Sequence, residues 1–240
     1  MIRALTTVLL GMCLTAGIRA QVPDSFFDRA DNFFREHVAD GRVDYKRIRE
    51  QPESLDRLMA GIRDLDVTAA EPSVYKAFWI NAYNLTVIHQ VVIHYPLGSP
   101  LEVPGFFDRN IYRIAGQVVT LNFIENELLR ARYPNEPRFH FVLVCAGLGC
   151  PPLIDRAYRP ETLDMQLEEQ TRLALNNPDF IRTGGKKTLV SQIFEWYGED
   201  FKRVAGDLTE FINRYRNQPL AAGTKISFYP YDWTLNDRIR

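Results

Sequence analysis

One octapeptide, RFHFVLVC at 138–145, limits what this chain can fold into more than any other stretch. Alternation puts His140, Val142 and Val144 on one side and Phe139, Phe141, Leu143 and Cys145 on the other. A strand that is apolar on both faces must be covered on both, which predicts a central position with other elements packed above and below. The surrounding sequence supplies helices and short strands with no internal repeat and no long low-complexity linker. The prediction is an α+β fold: a single globular domain over 21–240, with helices packed around a small, mostly antiparallel sheet.

Phe26, Phe27, Ala30, Phe33, Phe34 and Val38 recur at helical spacing and predict an amphipathic helix over 24–37. DGRVDY at 40–45 supplies a turn and a short extended piece. Leu55, Leu58, Met59 and Ile62 mark a second helix. Glu71-Pro72-Ser73 opens a third, over about 74–94, that stops before Pro96. IYRIAGQVVTL at 111–121 reads as a hairpin around Ala115-Gly116, and a helix follows over 122–133 with Thr120 or Asn122 as its cap. Beyond the Gly-rich turn after Cys145, a helix is expected over 161–175 and a short strand in KKTLVSQI. FEWYGEDF at 194–201 opens a helix running toward Tyr215, and a last strand lies in KISFYPYDWTLN.

The first twenty residues read as a secretory leader: a positive Met1-Ile2-Arg3, then an uncharged, mostly apolar stretch over 4–17 and a cut after Ala20. That stretch falls short of the roughly 20 apolar residues a membrane span needs. Cys13 raises a lipid-anchor alternative, which the bulky Met12 before it disfavours. Loss of Arg3 and Arg19 with the leader takes the formal charge from −1 to −3. Basic and acidic residues are interspersed, so there is no polybasic face for nucleic acid. The expected destination is the periplasm or the extracellular space, with no membrane span in the mature chain. Only Cys145 and Cys150 then remain, in a compartment where disulfides form.

Several residues could carry chemistry. Asn81 and Asn84 share one stripe of the third helix with Ala77 and Ile88. A buried amide needs partners, so these two either fix the helix against a neighbouring segment or orient a reacting group. His140 is either a satisfied core histidine or a general base tuned by burial. Cys145 and Cys150 are spaced for a disulfide, but Cys145 could also be a nucleophile if the chain turns at or just before it to meet His140. Glu125, at the edge of an apolar helix face, is either a solvated flank or an orienter of the imidazole. Neither an HExxH pair nor paired CxxC motifs occur, so no metal is expected, and without a Walker loop or GxGxxG no nucleotide cofactor either. Trp196, Tyr197, Phe201, Tyr231 and Trp233 read as core completion, with Asp200 and Asp232 as hydrogen-bond anchors beside them.

Taken in order, DGRVDY, KAFWINAYN (76–84), LNFIENELLR (121–130), RFHFVLVCAGLGCPPL (138–153), Tyr158, FEWYGEDF and YDWTLN (231–236) resemble the domain of unknown function family numbered 547. The resemblance implies a His-Cys-Glu combination that looks like thiol-hydrolase machinery, with a papain-like arrangement as one form of it. This chain departs from the common pattern at Asn126, where many relatives carry His. Two functions follow as expectations. One is a cysteine-dependent hydrolase or acyltransferase with Cys145 as nucleophile, His140 as base and Glu125 as orienter. The other is a non-catalytic envelope protein that holds an unknown small molecule or peptide, with a structural Cys145–Cys150 bridge and a binding set of Asn81, Tyr83, Asn84 and Cys150.

Overall fold

Pro72 occupies the first turn of the longest helix, Pro72–His94, where its missing N–H is no loss because the first donors of a helix lack partners anyway. From Tyr75 to Val92 almost every side chain of this helix is buried, including both asparagines. A helix without a polar face must be surrounded. The computed structural model, which describes residues 22–184 and 187–238, surrounds it. The leader expected over 1–20 lies outside the described residues. Asp24–His37 and Glu53–Ile62 are helices as predicted; they pack against each other, and Glu53–Ile62 packs against the long helix. The short helix Tyr45–Glu50, capped by Asp44 accepting from the Arg47 N–H, was not foreseen. Among the described residues no helix is long and apolar enough to cross a membrane.

Among the described residues three small sheets accompany the helices. Val38–Ala39 pairs with Arg42–Val43, and Tyr112–Ile114 pairs with Gln117–Val119, both antiparallel. Each turns through two residues of positive φ, Asp40-Gly41 and Ala115-Gly116, as tight hairpins of right-twisted strands require. The third sheet is mixed: Ile181–Gly184 runs antiparallel to Lys187–Ser191, which runs parallel to Lys225–Tyr229. The α+β class therefore stands.

The octapeptide at 138–145 is not a strand, and this corrects the first expectation. Pro137–Phe141 is a 3₁₀ helix, and the N–H groups of Val142 and Leu143 both reach the Phe139 carbonyl. Residues 139–144 are all buried, as their apolar character demands, so their backbone groups still need partners. Asn84 supplies them. Its Nδ2 donates to the Val142 carbonyl at 2.9 Å and its Oδ1 accepts from the Val144 N–H at 3.0 Å. A side-chain amide thus stands where a neighbouring strand was expected.

Two further helices differ from expectation. The segment after Thr120 is one α-turn, Leu121–Phe123, continued by a π-helix, Ile124–Arg130. The segment after Gln192 is broken into Ile193–Trp196, Gly198–Ala205 and Leu208–Tyr215, with Gly206 at φ 84° ending the second piece.

The buried apolar side chains form two clusters. The larger wraps the central helix, and the smaller gathers Phe141, Phe180, Phe194, Phe201 and Phe211. The 3₁₀ segment lies at their seam, with Phe139 in one cluster and Phe141 in the other. After Pro230 the chain returns to this seam. Leu148 donates to the Thr234 carbonyl, Gly149 to that of Asp232, and Asn236 to that of Ala146. The turn after Cys145 is therefore sewn to the segment 232–236.

Candidate functional site

A cavity of about 410 Å³ opens at the seam. Its wall includes Tyr83 from the central helix, Glu125 from the π-helix, His140 from the 3₁₀ segment, and Cys145 with Cys150 from the turn. The structure thus brings together Tyr83, Glu125, His140, Cys145 and Cys150. Asn81 and Asn84 are not in the wall. Asn81 donates to the carbonyls of Tyr158 (2.7 Å) and Ala77 (2.8 Å) and accepts from the Tyr158 N–H (3.0 Å). Both carboxamides are committed to backbone, and they pin the 142–144 and 158 segments to the helix.

Cys145 and Cys150 form a disulfide, with their Cα atoms 6.4 Å apart. The backbone turns at Ala146, whose φ is 62°, directly after the first cysteine. The Tyr231 hydroxyl lies 2.8 Å from one sulfur and 2.9 Å from the other. Disulfide sulfurs carry no proton, so the phenol is the donor. Gly149 is required beside it: a Cβ there would lie 2.9 Å from the Asp232 nitrogen and 3.0 Å from the Tyr231 ring.

His140 is held by a residue that the sequence did not mark for this role. Its Nε2 meets Asp200 Oδ2 at 2.9 Å, and Arg130 grips the same oxygen at 2.7 and 2.8 Å. A carboxylate only accepts, so Nε2 carries the proton and Nδ1 holds the free lone pair. Burial lowers the His140 pKa even though Asp200 opposes the shift, so the ring is neutral near pH 7. The hydrogen bond from His140, reinforced by Arg130, brings Asp200 down to about 2. The His140 ring stacks on Tyr197 with centroids 3.9 Å apart. Glu125 faces Tyr83 and Tyr197; burial first, then this carboxylate, raises the pKa of both phenols, which stay protonated.

The rest of the wall is aromatic, which corrects the reading of this cluster as core alone. Phe201 is core, but Trp196 is 46% exposed and lines the cavity with Tyr197, Tyr231 and Trp233. Trp196 lies 5.0 Å from Tyr231 and 6.1 Å from Trp233, and Phe107 lies 6.1 Å from Trp233. The signal was present in the clustering of FEWY and YDW, two tryptophan-bearing segments too polar on either side to be ordinary core. Among the described residues no three His, Cys, Asp or Glu side chains converge as metal ligands.

Fold and site together define an α+β protein with an aromatic-walled cavity resting on a disulfide. Residues 68–173 match the model of a family described as "Protein of unknown function, DUF547". The match takes in the KAFWINAYN, LNFIENELLR and RFHFVLVCAGLGCPPL motifs; DGRVDY, FEWYGEDF and YDWTLN lie outside it. No curated protein and no solved structure matches the chain.

Proposed function

We propose that the protein is exported and binds a small molecule, or the end of a peptide, in this cavity without transforming it. The observation that carries the proposal is the joining of Cys145 to Cys150 in the cavity wall, which leaves no thiolate to attack an acyl carbon. The other parts of the expected hydrolase are also committed: Asn81 and Asn84 to backbone, and the protonated His140 nitrogen to Asp200. A cavity of this size, mostly apolar with a few convergent polar groups, suits a small ligand. A thiol-reactive label with intact-mass analysis tests it. The folded, exported protein should take no label, and denaturation with reductant should expose two thiols. A label on the folded, unreduced protein overturns the proposal.

A second reading has one observation in its favour: His140, braced by Asp200, shares the cavity with Cys145 and Glu125. After reduction, the Cys145 sulfur would bond to an acyl carbon. His140 Nδ1 would take the thiol proton and return it to the departing alcohol, amine or thiol. The papain-like order of residues belongs to this reading. Its test is turnover of activated esters and thioesters by the reduced protein. Activity that survives Cys145→Ser, or none at all, retires it.

A further inference from the structure

We infer that the ligand bound here is a small organic cation, with a quaternary ammonium group seated among the ring faces near Glu125. This rests on the binding reading above. The first support is the sign of the charge. The charged side chains of the wall are Glu125 and Asp108, and among the described residues no Lys or Arg lines the cavity. Arg130, close enough to lie 4.7 Å over the Tyr197 ring, is neutralised by Asp200 and also donates to Asn126. His140 contributes no charge near neutral pH. Glu125 is buried and, among the described residues, has no cation in ion-pair contact. A buried carboxylate whose neighbours are two phenols and an uncharged imidazole repels anions and favours an incoming positive charge.

The second support is the chemistry of the wall. Phe107, Trp196, Tyr231 and Trp233 make a run of neighbouring rings, and Tyr83 lines the same cavity beside Glu125, while the Tyr197 ring is already covered by His140 and Arg130. Ring faces carry negative quadrupole charge and accept only weak N–H···π hydrogen bonds. A primary ammonium has three donors to satisfy and is strongly hydrated. A tetra-alkylated one has none, sheds water at lower cost, and gains from each face it touches. Asp108 and Asn122 stand at the exposed rim, where a polar tail of the ligand would emerge.

Calorimetric titration and tryptophan fluorescence of the full exported protein, disulfide intact, test this with three probes. They are choline, its neutral isostere 3,3-dimethylbutan-1-ol, and indole as a neutral aromatic that any apolar cavity of this size accepts. Choline should bind about tenfold or more tightly than the isostere, the scale of a desolvated cation–π contact. Glu125→Gln should weaken choline by about tenfold while leaving the isostere within about twofold. If that variant misfolds, Trp196→Leu, at the exposed edge, should weaken choline instead. An isostere that matches choline, or indole bound without choline, overturns the cation and leaves the binding reading standing. If none of the three binds, both fall.

Discussion

Asn84 offers the sharpest test of how the site is built. Asn84→Ala removes the partner of the Val142 carbonyl and of the Val144 N–H, where all three residues are buried. A buried polar group stripped of its partner costs about 1–3 kcal/mol, so two give roughly 2–6 kcal/mol. At about 2–4 °C per kcal/mol for a domain of this size, the melting temperature should fall by roughly 4–24 °C. Asn84→Asp sharpens the test because it keeps the shape. Its ionised form can accept from Val144 but faces the Val142 carbonyl with no proton to give. Burial and that carbonyl should raise the folded-state pKa of the new carboxyl above its unfolded value. The protonated side chain then restores the donor, so its contribution is full below the unfolded pKa and is lost as pH rises through the folded one. Chemical denaturation at pH 7 and near pH 4, each against the parent protein, should show the Asn84→Asp deficit shrinking in acid. A loss under about 1 kcal/mol for Asn84→Ala, or a deficit for Asn84→Asp that is the same at both pH values, would refute the claim that this amide takes the place of a strand.

Asp200 has a folded-state pKa near 2, below its unfolded value of about 3.9, so its contribution is present above pH 4 and lost as pH falls toward 2. Discounted for solvent screening, that contribution is about 1–2 kcal/mol, and Asp200→Asn should lose less stability than the parent between pH 5 and pH 2.5; parallel acid titrations refute it. Removing the disulfide by Cys145→Ala with Cys150→Ala should cost about 2 kcal/mol for so short a loop, and an unchanged melting temperature would count against it. Gly149→Ala should cost about 1–3 kcal/mol, because its Cβ collides with backbone and with the Tyr231 ring; a fully stable variant would mean that the turn and the 231–233 segment separate easily.

Much of the framework was legible because it is local. The bounds of Asp24–His37 follow from the period of its phenylalanines, and the hairpin at Ala115-Gly116 from the turn its backbone must make. What the sequence concealed depends on distance along the chain. An apolar run buried on every side reads as a strand whether its backbone is satisfied by a sheet or by one amide 58 and 60 residues away. His140 and Asp200 are likewise 60 residues apart, and nothing local names the carboxylate that meets the ring. Glu125 read either as a solvated flank or as an orienter of the imidazole; it lines the cavity beside two phenols, and the carboxylate hydrogen-bonded to the ring is Asp200. Trp196 and Trp233 look like core until the seam between the two clusters gives them a shared opening.

The return of residues 231–237 across the turn at 146–149 has a consequence for assembly. The pocket draws its parts from Tyr83 through Trp233, and the last of them also latch Val43 through Asn236 and Asp237. A nascent or clipped chain lacking these residues would own neither the far wall of the pocket nor the phenol that caps both sulfurs, and would lose Leu235 from the larger cluster. On the binding reading proposed above, capacity to hold a ligand should therefore arrive late and abruptly during synthesis, and a protease that trims this strap should abolish it.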